Sequence, residues 1–83
     1  MEIHYTYKAA ADLKSLPRTV QKRIASKMRF YGEQKNPLRF VERLSEPLEG
    51  EYRFRIGKYR LIFDVVRDKI FILKVRKRDE AYD

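Results

Sequence analysis

Eighty-three residues with 20 Lys or Arg against 12 Asp or Glu carry a net charge of +8 and a pI near 9.9. With no cysteine and a single histidine, disulfides, thiolate chemistry, Cys-based metal sites and His-pair metal motifs are excluded. So large a positive charge on one small domain predicts attraction to polyanions, above all nucleic acid.

A single domain spanning 1–83 is expected, with a thin core that needs well-packed elements or a partner. The start, Met1-Glu2-Ile3-His4, is not a basic segment followed by an apolar run, so no signal peptide is expected. No apolar run approaches the ~20 residues that cross a bilayer, so a soluble, cytoplasmic protein is expected.

In chain order, residues 2–7 alternate, with Ile3, Tyr5 and Tyr7 on one face of a strand. The alanine-rich segment 8–15 reads as a short helix. Leu16-Pro17 breaks and restarts the chain, with Ser15 or Leu16 as cap and Pro17 in the first turn. From there to about Gln34, Val20, Ile24, Met28 and Tyr31 recur with the spacing of one buried helical stripe. Arg18, Lys22, Arg23, Lys27 and Arg29 fall mainly off it. Asn36-Pro37 ends the helix, and 38–49 is irregular or partly helical, with Phe40, Leu44 and Leu48 available to the core.

Residues 52–56 alternate strictly, and Gly57-Lys58 makes a two-residue hairpin turn, the glycine supplying positive φ. Such a loop pairs Ile56 with Tyr59, Phe54 with Leu61 and Tyr52 with Phe63 on the core face. The other face then pairs Arg55 with Arg60 and Arg53 with Ile62. A three-residue loop at 67–69 puts Phe71, Leu73 and Val75 of a third strand (70–76) in the core. Lys74 and Arg76 then join Arg53, Arg55 and Arg60, and Arg78 follows. The only strand carboxylate nearby is Asp64. Like charges set opposite one another repel, so a bound anion is the expected reason for the cluster. Ile62, Val66, Ile70 and Ile72 are expected exposed on the same face, where a partner would cover them.

Strand, helix pair and three-stranded meander together resemble the RelE/ParE toxin superfamily. The resemblance rests on Leu-Lys-Ser-Leu-Pro at 13–17, Tyr-Arg-Phe-Arg-Ile-Gly-Lys-Tyr-Arg-Leu-Ile-Phe at 52–63 and Lys-Arg-Asp-Glu-Ala-Tyr at 77–82. It implies an α+β fold in which two helices pack on one face of an antiparallel sheet. The RelE branch implies a ribosome-dependent endoribonuclease, an mRNA interferase that cuts translated messenger RNA without metal or cofactor. A cognate RelB-like antitoxin is the partner that silences such toxins. By position the catalytic set would be Arg53, Arg55, Arg60, Arg78 and Tyr82, with Lys74, Arg76 and Lys77 binding RNA.

In that chemistry the RNA 2′-hydroxyl attacks the adjacent phosphate. Arg60 and Arg78 would hold phosphate charge, Arg53 and Arg55 the backbone and leaving side, and Tyr82 a base or the 2′-hydroxyl. Arginine is a poor base, and lysines stand at these hairpin positions in well-studied members. The proton therefore falls to Tyr82, to Glu49 or Glu51, to the substrate or to ribosomal RNA. His4 reads as a strand residue facing solvent or the antitoxin. Two alternatives share the sequence: a ParE-like toxin that binds DNA gyrase without catalysis, and a basic nucleic-acid-binding module.

Overall fold

The computed structural model describes residues 1–40, 42–43 and 52–77, the side chains of 40, 42 and 43 excepted. The chain runs through β1 (Glu2–Tyr5), α1 (Tyr7–Lys14), α2 (Arg18–Glu33), a 3-10 turn (Pro37–Phe40), β2 (Glu42–Arg43), β3 (Tyr52–Ile56), β4 (Tyr59–Val66) and β5 (Lys69–Lys77). The strands form one sheet in the order β1-β5-β4-β3-β2. This is the expected α+β architecture, with β3, β4 and β5 as an antiparallel meander. One pairing differs: β1 lies parallel to β5, so the sheet is mixed. The helices and later strands form the crossover that parallel neighbours need.

β1 stops at Tyr5, two residues earlier than the alternation predicts, because Thr6 caps a helix. Its Oγ1 accepts the Ala9 N–H at 3.1 Å. Tyr7 therefore opens α1 and is 95% exposed rather than sharing the strand face with Ile3. Ser15 closes α1, and Pro17 stands at the start of α2 without a side-chain cap, so neither Ser15 nor Leu16 caps α2. Gln21 ties the link instead, its Nε2 donating to the Leu16 carbonyl at 2.7 Å.

The helical stripe is buried as expected at Ile24, Met28 and Tyr31, with Val20 partly buried. Tyr31 stacks on Phe54 and Phe54 on Phe63, each pair with centroids 4.5 Å apart. This aromatic column joins α2 to the centre of the sheet, where large rings bury most apolar area per residue. Phe40 (its side chain), Leu44 and Leu48 lie outside the described residues.

The β4–β5 connection departs from expectation. The loop is two residues, with Val66 paired to Lys69 and Arg67 at φ 59. Ile70 and Ile72 are consequently core residues, each 0% exposed, not part of an outer apolar patch. Phe71 turns to the opposite face, where it stacks on His4 at 5.3 Å. Ile62 pairs with Lys74 but Phe63 with Ile72, so Leu73 is the extra residue of a bulge. A bulge resets strand alternation. Beyond it Val75 is in the core and Lys74 and Arg76 face outward, as expected, whereas Phe71 and Leu73 do not flank Val75 in the core. Ile62 is also buried, which leaves Val66 as the exposed member of the anticipated patch.

Candidate functional site

The β3–β4 hairpin has the register that strict alternation predicts, from Tyr52 opposite Phe63 to Ile56 opposite Tyr59. Gly57 has φ 60, the left-handed value that the first position of such a turn favours. With Phe54, Ile56, Leu61 and Phe63 in the core, the alternate residues point away from the helices.

Two cross-strand rows result on that outer face. Arg55 lies opposite Arg60, and Arg60 opposite Arg76. In the next row Arg53 lies opposite Ile62, and Ile62 opposite Lys74. Side chains directly opposite one another start about 5 Å apart, so five cations share a compact area. Arg60, at the centre, is 1% exposed, whereas Arg55 is exposed and Arg53, Lys74 and Arg76 are half-buried. Each of these five side chains takes part in polar or electrostatic interactions. Asp64 stands one position beyond Ile62 on the same strand face and pairs with Phe71.

The position of Lys74 and Arg76 depends on α1. The β1–β5 ladder ends where Tyr5 meets Ile72, and the Thr6 N–H donates to the Ile72 carbonyl at 2.9 Å. Side chains of the helix side then continue the edge. Thr6 Oγ1 donates to the Leu73 carbonyl at 2.9 Å, and the Val75 N–H donates to Asp12 Oδ2 at 3.0 Å. The two contacts straddle the bulge. With a two-residue turn and no bulge, the alternation that buries Ile70 and Ile72 would carry Lys74 and Arg76 to the helix side. Neither Thr6 nor Asp12 stands out in the sequence as a functional position. Asp12 shows only a local signal, an i,i+4 ion pair with Lys8 at 3.0 Å.

The remaining candidates are distributed differently. Lys77 pairs with Tyr59 and lines a groove on the helix side with Arg23 and Lys58, on the face opposite Arg76. Alternation from Arg76 already carried that signal. Arg78, Tyr82, Glu49 and Glu51 lie outside the described residues. His4 sits on β1 with its Nε2 3.3 Å from Glu2 Oε1. Among the described residues no cluster of three His, Cys, Asp or Glu side chains that could hold a metal ion occurs. Nor is any described helix long and apolar enough to cross a membrane.

Burial raises the phenol of Tyr31 above its ordinary value, and that of Tyr5 likewise. Neither tyrosine faces the arginine rows. Chemically, the arginines of these rows offer permanently charged donors able to grip the oxygens of a phosphodiester, and they are poor bases.

Comparison with known proteins places this arrangement in a family. The family model for the ParE toxin of the type II toxin-antitoxin system parDE matches residues 3–82. A chain of the RelBE2 toxin-antitoxin complex of Mycobacterium tuberculosis superposes with a TM-score of 0.74 at 28% identity, covering 93% of this chain and 96% of that one. A chain of the RelB-RelE antitoxin-toxin complex of Methanococcus jannaschii gives 0.73 at 25% identity, covering 96% and 95%. No curated protein matches the chain. A match over nearly the whole length, on the expected fold, shows that the chain belongs to the ParE toxin family of type II toxin-antitoxin systems, within the RelE/ParE superfamily.

Proposed function

We propose that this toxin is a cytoplasmic, ribosome-dependent, metal-independent endoribonuclease that cleaves translated messenger RNA. The observation that carries the reading is the row Arg55–Arg60–Arg76, continuous across three strands. A self-repelling row of cations is stabilised by a bound polyanion, and arginine forks match phosphate geometry. In this reading Arg60 and Arg78 neutralise the phosphate as the 2′-hydroxyl attacks. Arg53 and Arg55 hold the backbone and the leaving side. Lys74 and Arg76, with Lys77, bind flanking RNA, and Tyr82 stacks on a base or orients the 2′-hydroxyl. The proton leaving the 2′-hydroxyl goes to a group other than these arginines, Tyr82 and the carboxylates Glu49 and Glu51 being the chain's own candidates.

A RelB-like antitoxin is the proposed partner, supported by the two solved complexes to which this chain is similar. A second reading, non-catalytic inhibition of DNA gyrase, is favoured by one observation, the ParE description of the matching family model. Induction of wild type and of an Arg60→Ala/Arg78→Ala variant in bacteria, with primer-extension mapping of messenger RNA ends, separates the two. Cuts within translated codons that vanish in the variant support the ribonuclease. Growth arrest with DNA damage and no cuts supports the gyrase reading.

A further inference from the structure

A cationic concavity lies at the same end of the sheet as the arginine row, on the opposite face. It is a groove of about 270 Å³ floored by Ile24 and Ile56 and lined by Arg23, Lys58, Lys77 and Tyr59. The three cations come from α2, the β3–β4 turn and the end of β5, and among the described residues no carboxylate lines the groove. Arg23 lies against the hairpin tip: a Cβ on Gly57 would sit 3.3 Å from Arg23 Nη1. Glycine at this turn therefore serves both the φ of 60 and the approach of the guanidinium.

The two sites are adjacent in register. Ile56, Tyr59 and Lys77 are each the next residue along their strands from Arg55, Arg60 and Arg76, and form the neighbouring row on the other face. Cations thus continue around the tip from one face to the other. An aromatic ring among cations beside an apolar floor is the combination that holds single-stranded nucleic acid, with bases stacking and phosphates paired.

We infer that the groove of Arg23, Lys58, Lys77 and Tyr59 is a flanking-nucleotide subsite, holding a stretch of single-stranded RNA that continues from the arginine row around the hairpin tip. Phosphates pair with the three cations and a base stacks on Tyr59. The inference rests on the proposed RNA-binding role of the arginine row and adds a second, length-dependent contact to it.

The test measures binding of 2′-O-methyl RNA, which cannot self-cleave, to the full chain by fluorescence anisotropy over a salt series. The probes are a trinucleotide, a heptanucleotide, and a heptanucleotide with abasic flanking positions. The Arg23→Ala/Lys58→Ala variant is expected to lose about fivefold in heptanucleotide affinity, with the salt slope reduced by about 1.4, at ~0.7 per phosphate contact. Its trinucleotide affinity stays unchanged. Tyr59→Leu, which keeps an apolar side chain in the groove, is expected to lose about fivefold on the heptanucleotide and nothing on its abasic form. Equal losses on both lengths, no loss on the heptanucleotide, or a Tyr59→Leu effect that ignores the bases would each overturn the subsite. Failure of the underlying reading looks different: Arg60→Met would then leave trinucleotide binding unchanged.

Discussion

Arg60 lies directly across the β4–β5 ladder from Arg76, and it is the more buried of the two, at 1% exposure. With Arg55 opposite on its other side, the central residue of the row bears like charge on both flanks. Function and stability are expected to separate here. Arg60→Met, close in shape and uncharged, removes the repulsion and the desolvation of a buried charge together with the interactions that the guanidinium makes, so stability is expected to stay within ~1 kcal/mol of wild type. RNA cleavage is expected to fall by roughly 10²-fold or more, as when a preorganised donor is removed from a transition state. Urea denaturation and primer extension on the same variant check both. A stability loss larger than ~1 kcal/mol would show that compensating interactions around the guanidinium outweigh the repulsion.

Asp12 provides the acceptor for the Val75 N–H just past the bulge. Asp12→Ala leaves that amide without its carboxylate and is expected to cost ~1–3 kcal/mol. Asp12→Asn, which keeps an oxygen there, should cost less. Hydrogen exchange resolved at Val75 is the direct readout. Unchanged protection in Asp12→Ala would mean that the carboxylate does not hold this edge.

Arg67 adopts φ 59 at the first position of the β4–β5 turn, where glycine is the favoured residue. Relief of left-handed strain exceeds the added freedom of the unfolded chain, so Arg67→Gly is expected to stabilise by about 1 kcal/mol. For a domain of this size that raises Tm by ~4–8 °C. Calorimetry showing a lower Tm would place a favourable interaction on the Arg67 side chain.

Tyr31, buried in the aromatic column, has its phenol raised from 10.0. The folded protein therefore resists an ionisation that the unfolded chain accepts. The resulting stability is complete below pH 10.0 and is lost as pH rises through the higher folded value. Thermal melts between about pH 9 and 11 should fall less steeply for Tyr31→Phe than for wild type. Parallel curves would sink this account.

The hairpin of β3 and β4, the helical stripe and the gathering of Arg53, Arg55 and Arg60 were legible because each depends on neighbours close in sequence. A glycine turn and strict alternation determine a register without reference to the rest of the chain. Lys74 and Arg76 face outward as a three-residue loop predicts, but only because two offsets cancel: the turn is two residues, and the bulge at Leu73, invisible in the sequence, restores the face. That bulge is pinned by Thr6 to Leu73 and Asp12 to Val75, contacts 67 and 63 residues apart. Alternation read along one strand cannot register an extra residue whose backbone partners come from a distant helix. Tertiary structure alone therefore decided that Ile70 and Ile72 are core, that β1 runs parallel to β5, and that Arg23 of α2 meets Lys58 and Lys77 in one groove. The local code set which charges share a strand face, and long-range packing set what stands on the other side of the sheet.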